Sequence, residues 1–266
     1  MRYKIMACII ICLLVLGGCS QSPDEALLAR ALEDIKEPLT IMDNRFASYE
    51  NALAVIAGYI ETPSAEALEA AKTVCITATG EISELPTPVS ALTEEERGGL
   101  IKLGVNMADY DALFMYGEYH KQSNAETLTL LLDYLSKAPA LDEMLGHTVE
   151  FNIRLQELTR QIEFIGVNAL LCGQSGEALE DFKTGFLSGL AAFGADGLPW
   201  ETDKGTLEAK AEYLFVEMEA AIEGYASMVG EQYWGLTQDR AAYRESLLEA
   251  GYSPEEADAI LADITE

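Results

Sequence analysis

Between residues 28 and 60, apolar side chains recur at steps that alternate four and three without a slip: Leu28, Leu32, Ile35, Leu39, Met42, Phe46, Tyr49, Leu53, Ile56 and Ile60. A helix turns once every 3.6 residues, so this spacing lays a single apolar seam along one helical face; a strand would need a period of two. Pro38 interrupts the seam without shifting its phase. The stretch 24 to 61 therefore predicts one helix kinked near Glu37, or two helices stacked end to end. Ser22-Pro23-Asp24-Glu25 reads as its capping box, with proline at the first helical position.

The rhythm returns downstream. Leu141, Met144, Thr148, Phe151, Leu155, Leu158, Ile162, Ile165, Ala169 and Cys172 form a second seam, closed by Gly173. A third runs through Leu207, Ala211, Leu214, Met218, Ala221, Tyr225 and Met228, and a fourth through Leu100, Leu103, Met107, Tyr110 and Phe114, started by the box Thr93-Glu94-Glu95-Glu96. A shorter helix near 65–83 carries Leu68, Ala71, Cys75, Ala78 and Ile82, although its "TVCITAT" stretch is β-branched. Further helices are expected near 125–136, 177–193, 238–250 and 254–264, the last begun by Ser253-Pro254-Glu255-Glu256. Long helices with narrow seams and short interruptions predict an all-α fold, an antiparallel helical bundle with a short C-terminal helical hairpin. "LPTPVSAL" (85–92) and "GADGLPWETDKG" (194–205) are the main connections, the second carrying Trp200 in an exposed setting.

The first twenty residues are of another kind. Arg2 and Lys4 precede an unbroken apolar run from Ile5 to Leu16, the pattern of an export signal. As a helix, Ile5 to Gly18 would span roughly 21 Å, short of a hydrocarbon core of about 30 Å. Leu16-Gly17-Gly18-Cys19 resembles the lipobox of prokaryotic lipoproteins, a leucine and two small residues before a cysteine. The resemblance covers this segment alone. It implies that Cys19 takes a diacylglyceryl thioether, that the bond after Gly18 is cut, and that two or more acyl chains hold the protein at the membrane. Ser20 after the cysteine implies outer-membrane sorting where the cell has an outer membrane. The expected organisation is a signal peptide at 1–18, lipidated Cys19 with a tether to 23, a bundle at 24–236 and a hairpin at 237–266 packed on it.

Charge excludes some partners. The chain carries 17 basic and 45 acidic residues, a net charge of −28, and the signal would remove two of the bases. Such a surface repels phosphate backbones and anionic headgroups, so nucleic-acid binding is not expected and a covalent lipid is the expected route to the membrane. Cys8 and Cys12 leave with the signal and Cys19 is spent on lipid, so Cys75 and Cys172 remain. An exported protein can bridge them, and both lie on core-facing seams; two buried free thiols fit as well. The absence of Cys-x-x-Cys offers neither a redox motif nor a thiolate zinc site.

Catalytic sets are sparse. His120 and His147 are the sole histidines. His147 has Glu143 one turn before it and Glu150 one turn after, a set that can hold a metal, but Arg154, Glu157 and Gln161 continue the same side as a solvated salt-bridge face. The Gly-x-His-x-x-Glu motif of the imelysins is not met, because Leu145 stands where it has glycine. Di-iron bundles need Glu-x-x-His, and Met144 and Gly117 occupy those places. "CGQSGE" lacks the spacing of a nucleophile elbow, and the acids around 194–205 do not match a calcium loop. No cofactor is called for. Tyr and Trp favour interfaces, which makes Trp200, Tyr233 and Trp234 the candidate contact residues. The expected function is therefore binding or scaffolding in the cell envelope, with a protein or other envelope component as partner and no catalysis. The alternatives are a small-ligand or metal-binding helical domain and a His147-centred metallo-hydrolase.

Overall fold

The computed structural model describes residues 23–138, 141–192, 199–238, 240–249 and 251–263, and the fold is all-α. Among the described residues ten helices follow one another: α1 (Pro23–Asp34), α2 (Lys36–Glu61), α3 (Ala65–Glu84), α4 (Glu94–Lys102), α5 (Met107–Ser136), α6 (Asp142–Leu170), α7 (Glu177–Ala192), α8 (Lys204–Gln238), α9 (Arg240–Glu249) and α10 (Pro254–Asp263). None is long and apolar enough to cross a membrane.

The first seam is two stacked helices. The break falls at Ile35, between α1 and α2, because Pro38 has no N–H for the Asp34 carbonyl four residues back and its ring crowds that carbonyl. The ladder resumes at once, with the Leu39 N–H donating to the Ile35 carbonyl at 3.2 Å. The Asp34 side chain is buried here and ties α1 to its neighbours. It accepts from Ser90 Oγ (2.6 Å), Tyr110 Oη (2.7 Å) and the Ala91 N–H (2.8 Å). Burial pushes its carboxyl up, but these bonds more than offset that and hold it below the ordinary carboxylate value.

The fourth seam does not form one helix as the spacing suggests. It is cut at Gly104, which adopts φ +88°. The Gly104 N–H donates to Ile101 and the Val105 N–H to Leu100, a Schellman stop in which buried Val105 and Leu100 supply the apolar clasp. Asn106 then caps α5 by accepting from the Ala108 N–H. The helix expected separately near 125–136 is the second half of α5, which runs 30 residues. Other ends follow the sequence. Thr93 and Glu96 form the reciprocal box that starts α4, and Ser253 with Glu256 does the same for α10. In β-branched α3, Thr73 and Thr79 donate their hydroxyls to carbonyls one turn back.

Helices α2, α3, α5 and α6 form a four-helix core. At one end it is apolar: Leu53 and Ile56 of α2, Cys75 and Ile82 of α3, Leu128, Leu131 and Leu135 of α5, and Leu145 of α6 are closed off together. At the other end α1, α4 and α7 cap it around Leu32, Leu100, Tyr110, Val167 and Leu179. Tyr59 Oη to Asp142 (3.1 Å), Tyr49 Oη to Asn152 Oδ1 (2.9 Å) and Arg45 to Glu163 (3.2 Å) set α2 antiparallel to α6. Helix α8 lies on the opposite side of α6. The hairpin α9–α10 has its own small core, Leu247, Ala257, Ile260 and Leu261, and reaches the bundle through the end of α8 and through Tyr252, whose hydroxyl donates to the Ala138 carbonyl.

Candidate functional site

Among the described residues, those singled out in the sequence do not converge. Cys19 lies outside the described residues. Cys75 and Cys172 are both free thiols, so the bridge left open by the sequence is absent. They belong to different packing groups: Cys75 is sealed among α2, α3 and α5, where burial pushes its thiol up to about 11, while Cys172 follows α6 and donates from Sγ to the Thr202 carbonyl at 3.3 Å. His147 is partly exposed, with Glu143 Oε1 3.9 Å from Nε2. Glu150 is exposed, and among the described residues no three metal-ligating side chains come together. Arg154 bonds Glu157 (3.0 Å) and Glu217 of α8 (3.4 Å), in keeping with a solvated face.

Trp200 is not exposed as expected. It is half-buried, edge-on to Phe164 with centroids 6.0 Å apart and Lys183 Nζ 5.2 Å from its ring. The Asn168 amide, oriented to satisfy both partners, donates to the Glu201 carbonyl (2.9 Å) and accepts from its N–H (2.8 Å), which pins the loop down beside Trp200. The side chains of Tyr233 and Trp234 lie outside the described residues. Tyr225 faces inward, stacked on Phe151 at 4.2 Å, with its hydroxyl 2.8 Å from Thr148 Oγ1.

Two features the sequence reading passed over stand out instead. The first is an ionic layer between α2 and α6. Arg45 is only 2% exposed, yet it carries a charge paired with Glu163. Arg160, also buried, pairs with Glu50 at 2.5 Å. The two guanidinium carbons lie 4.5 and 4.6 Å from the Phe46 ring centroid. Each such contact is worth roughly 0.5–2 kcal/mol and helps to hold two like charges close together. Burial raises Glu163 to about 7 against the pull of Arg45, and raises Asp43 to about 6 against the pull of Arg160. Burial likewise lowers Arg45. Raised carboxyls in a cleft can serve acid–base chemistry. This cleft, between Phe46, Glu163 and Phe186, has a volume of about 20 Å³, room for a single water. Arg45 with Glu163 and Arg160 with Glu50 tie α2 to α6 across this layer, which sets the register of the two helices.

The signal for this layer is present in the sequence. Leu145, Val149, Asn152, Gln156, Arg160, Glu163, Val167 and Leu170 repeat the three-four rhythm, apolar at both ends and polar in the middle. A search for apolar seams alone skips it.

The second feature is the outer face of α8. Among the described residues this 35-residue helix packs on α6 and otherwise meets only α9. Leu207 and Leu214 turn inward. Tyr213 and Val216, one turn apart on the far side, stand 63 and 57% exposed, and Phe215 and Ile222, two turns apart along one flank, stand 52 and 47% exposed. Four large apolar side chains exposed within ten residues of one helix are denser than the single, scattered exposure normal for a surface. No protein-family model matches this chain, and no curated protein or solved structure matches it.

Proposed function

We propose that the protein is a lipid-anchored, extracytoplasmic helical bundle that works by binding or scaffolding in the cell envelope, without catalysis, and that the outer face of α8 is its contact surface. The observation that carries this is the exposed pair Tyr213 and Val216 on the outward face of a helix packed on one side only, with Phe215 and Ile222 exposed along its flank. Apolar area of this kind gains roughly 25 cal/mol for each Å² withdrawn from water, which favours a partner over solvent. The lipobox at Leu16 to Cys19 supports the anchor, and a tether ending at Pro23 would keep the bundle near the bilayer. The charge of −28 argues against nucleic acid and anionic headgroups as ligands.

Two measurements test the reading. Intact mass spectrometry of native protein is expected to show an N-terminal Cys19 carrying acyl chains; an unmodified thiol there ends the anchor. In a mild-detergent extract of the native membrane, the wild-type chain is expected to elute in a complex well above the mass of one lipidated chain, and Val216→Glu to elute as the chain alone. Val216 is exposed, so this variant keeps the fold. A wild-type chain that elutes alone overturns the contact function.

A further inference from the structure

We propose that the partner seated on α8 is a cationic amphipathic helix, its apolar side over Tyr213, Val216 and Ala220 and its basic residues on Glu212, Glu219 and Glu223; this rests on the contact reading above. Steps of three and four place Tyr213, Val216, Ala220 and Gly224 in one row along the exposed face. Glu212, Glu219 and Glu223 form a second row beside it, and all three are exposed. The acidic row spans roughly 16 Å at 1.5 Å per residue, about three helical turns.

The two rows call for the same kind of partner. Glu208 and Glu217 on the same helix have cations, Lys204 at 3.8 Å and Arg154 at 3.4 Å. Among the described residues no ion pair reaches Glu212, Glu219 or Glu223. Like charges one turn apart, as at 219 and 223, destabilise a helix by roughly 0.2–0.5 kcal/mol per pair. The row therefore costs α8 stability within the free chain, and lysines or arginines at matching intervals on a partner relieve it. A helix with an apolar stripe flanked by basic residues meets both rows at once, as one helix packs on the face of another. A second copy fits poorly, because pairing α8 with itself sets glutamate against glutamate in a chain of net charge −28. An anionic bilayer fits poorly too, since the acidic row would lie against the headgroups.

The test places the photoreactive residue benzoylphenylalanine at position 216 of the full chain. The probe is a 21-residue peptide of leucine and lysine patterned as an amphipathic helix; the control replaces every lysine with glutamate. The lysine peptide is expected to cross-link at least tenfold more than the control. Glu212→Lys, Glu219→Lys and Glu223→Lys combined, all on a solvated face, are expected to invert that preference while circular dichroism shows an unchanged fold. Equal yields, or a preference that charge reversal leaves intact, overturn the inference. So does a position-216 product with the mass of two chains, or with lipid when the chain is reconstituted in phosphatidylethanolamine–phosphatidylglycerol vesicles. If the native complex is nonetheless lost on Val216→Glu, the contact function stands and only the cationic helix is wrong.

Discussion

At the scale of single residues, the fold carries charges that cost it stability at neutral pH. Asp43 lies beside Arg160, yet burial outweighs that attraction and lifts its carboxyl to about 6. Because the folded value lies above the ordinary 3.8, the folded state holds the proton more tightly than the unfolded chain does. The favourable share is complete below about pH 4 and is lost as pH rises through about 6. Asp43→Asn is therefore expected to raise the melting temperature most at pH 8, by about 2–4 °C for each kcal/mol recovered, to raise it less at pH 5, and to change it little below about pH 4. A variant that melts lower at pH 8 would show that Arg160 outweighs burial. Backbone conformation gives a second residue-scale contrast. Gly104 sits at φ +88°, where a side chain meets its own carbonyl, so Gly104→Ala is expected to cost about 1–2 kcal/mol in denaturant melts. Gly98, inside α4, faces open space, and Gly98→Ala should gain about 0.5–1 kcal/mol.

At the scale of elements, α6 is a helix with two working faces. One is the apolar seam, covered by α8; the other presents the polar middle row to α2. Removing one partner of a buried ion pair leaves an uncompensated charge and costs roughly 3–5 kcal/mol, whereas replacing both with apolar groups is often neutral or stabilising. Arg45→Leu should therefore be severely destabilising and Arg45→Leu/Glu163→Leu close to wild type, compared in urea melts. If the double variant is as unstable as the single, the pair supplies net stability rather than register. This row explains what the sequence hid. The all-α class and an interruption near Pro38 were legible because apolar periodicity, capping boxes and proline are local signals, while the choice between one kinked helix and two stacked ones stayed open. The split at Gly104 was missed because the three-four rhythm runs straight through it from Leu100 to Phe114. Arg45, Asn152, Gln156 and Glu163 were passed over because a seam that turns polar in its middle escapes a search for apolar periodicity, and their partners lie some hundred residues away in the chain. The α8 face escaped notice for a different reason: Tyr213, Val216 and Ile222 stand out only once it is known that one neighbour, and not two, packs on that helix.

At the scale of the molecule, the burden of packing is uneven, and the proposed contact surface sits where it is lightest. Each of α2, α5 and α6 meets at least three other helices, whereas α8 leans on α6. The α8 contact is fastened at intervals, by Leu207 and Leu214 packing on α6, by Tyr225 to Thr148 and by Arg154 to Glu217. Local opening costs least where few apolar contacts must break, so the stability of such a fold is graded across it. Native-state hydrogen exchange should show this directly. Amides of α8 and of the hairpin beyond it are expected to exchange at least tenfold faster than those of α2 and α5, through an opening that leaves the four-helix core intact. Uniform protection across all of them would mean a single cooperative unit, with α8 no freer than the core. On such a gradient, the proposed partner helix laid over Tyr213 and Val216 would cover the outer face of α8, so binding should slow exchange there first and leave the protection of α2 and α5 unchanged.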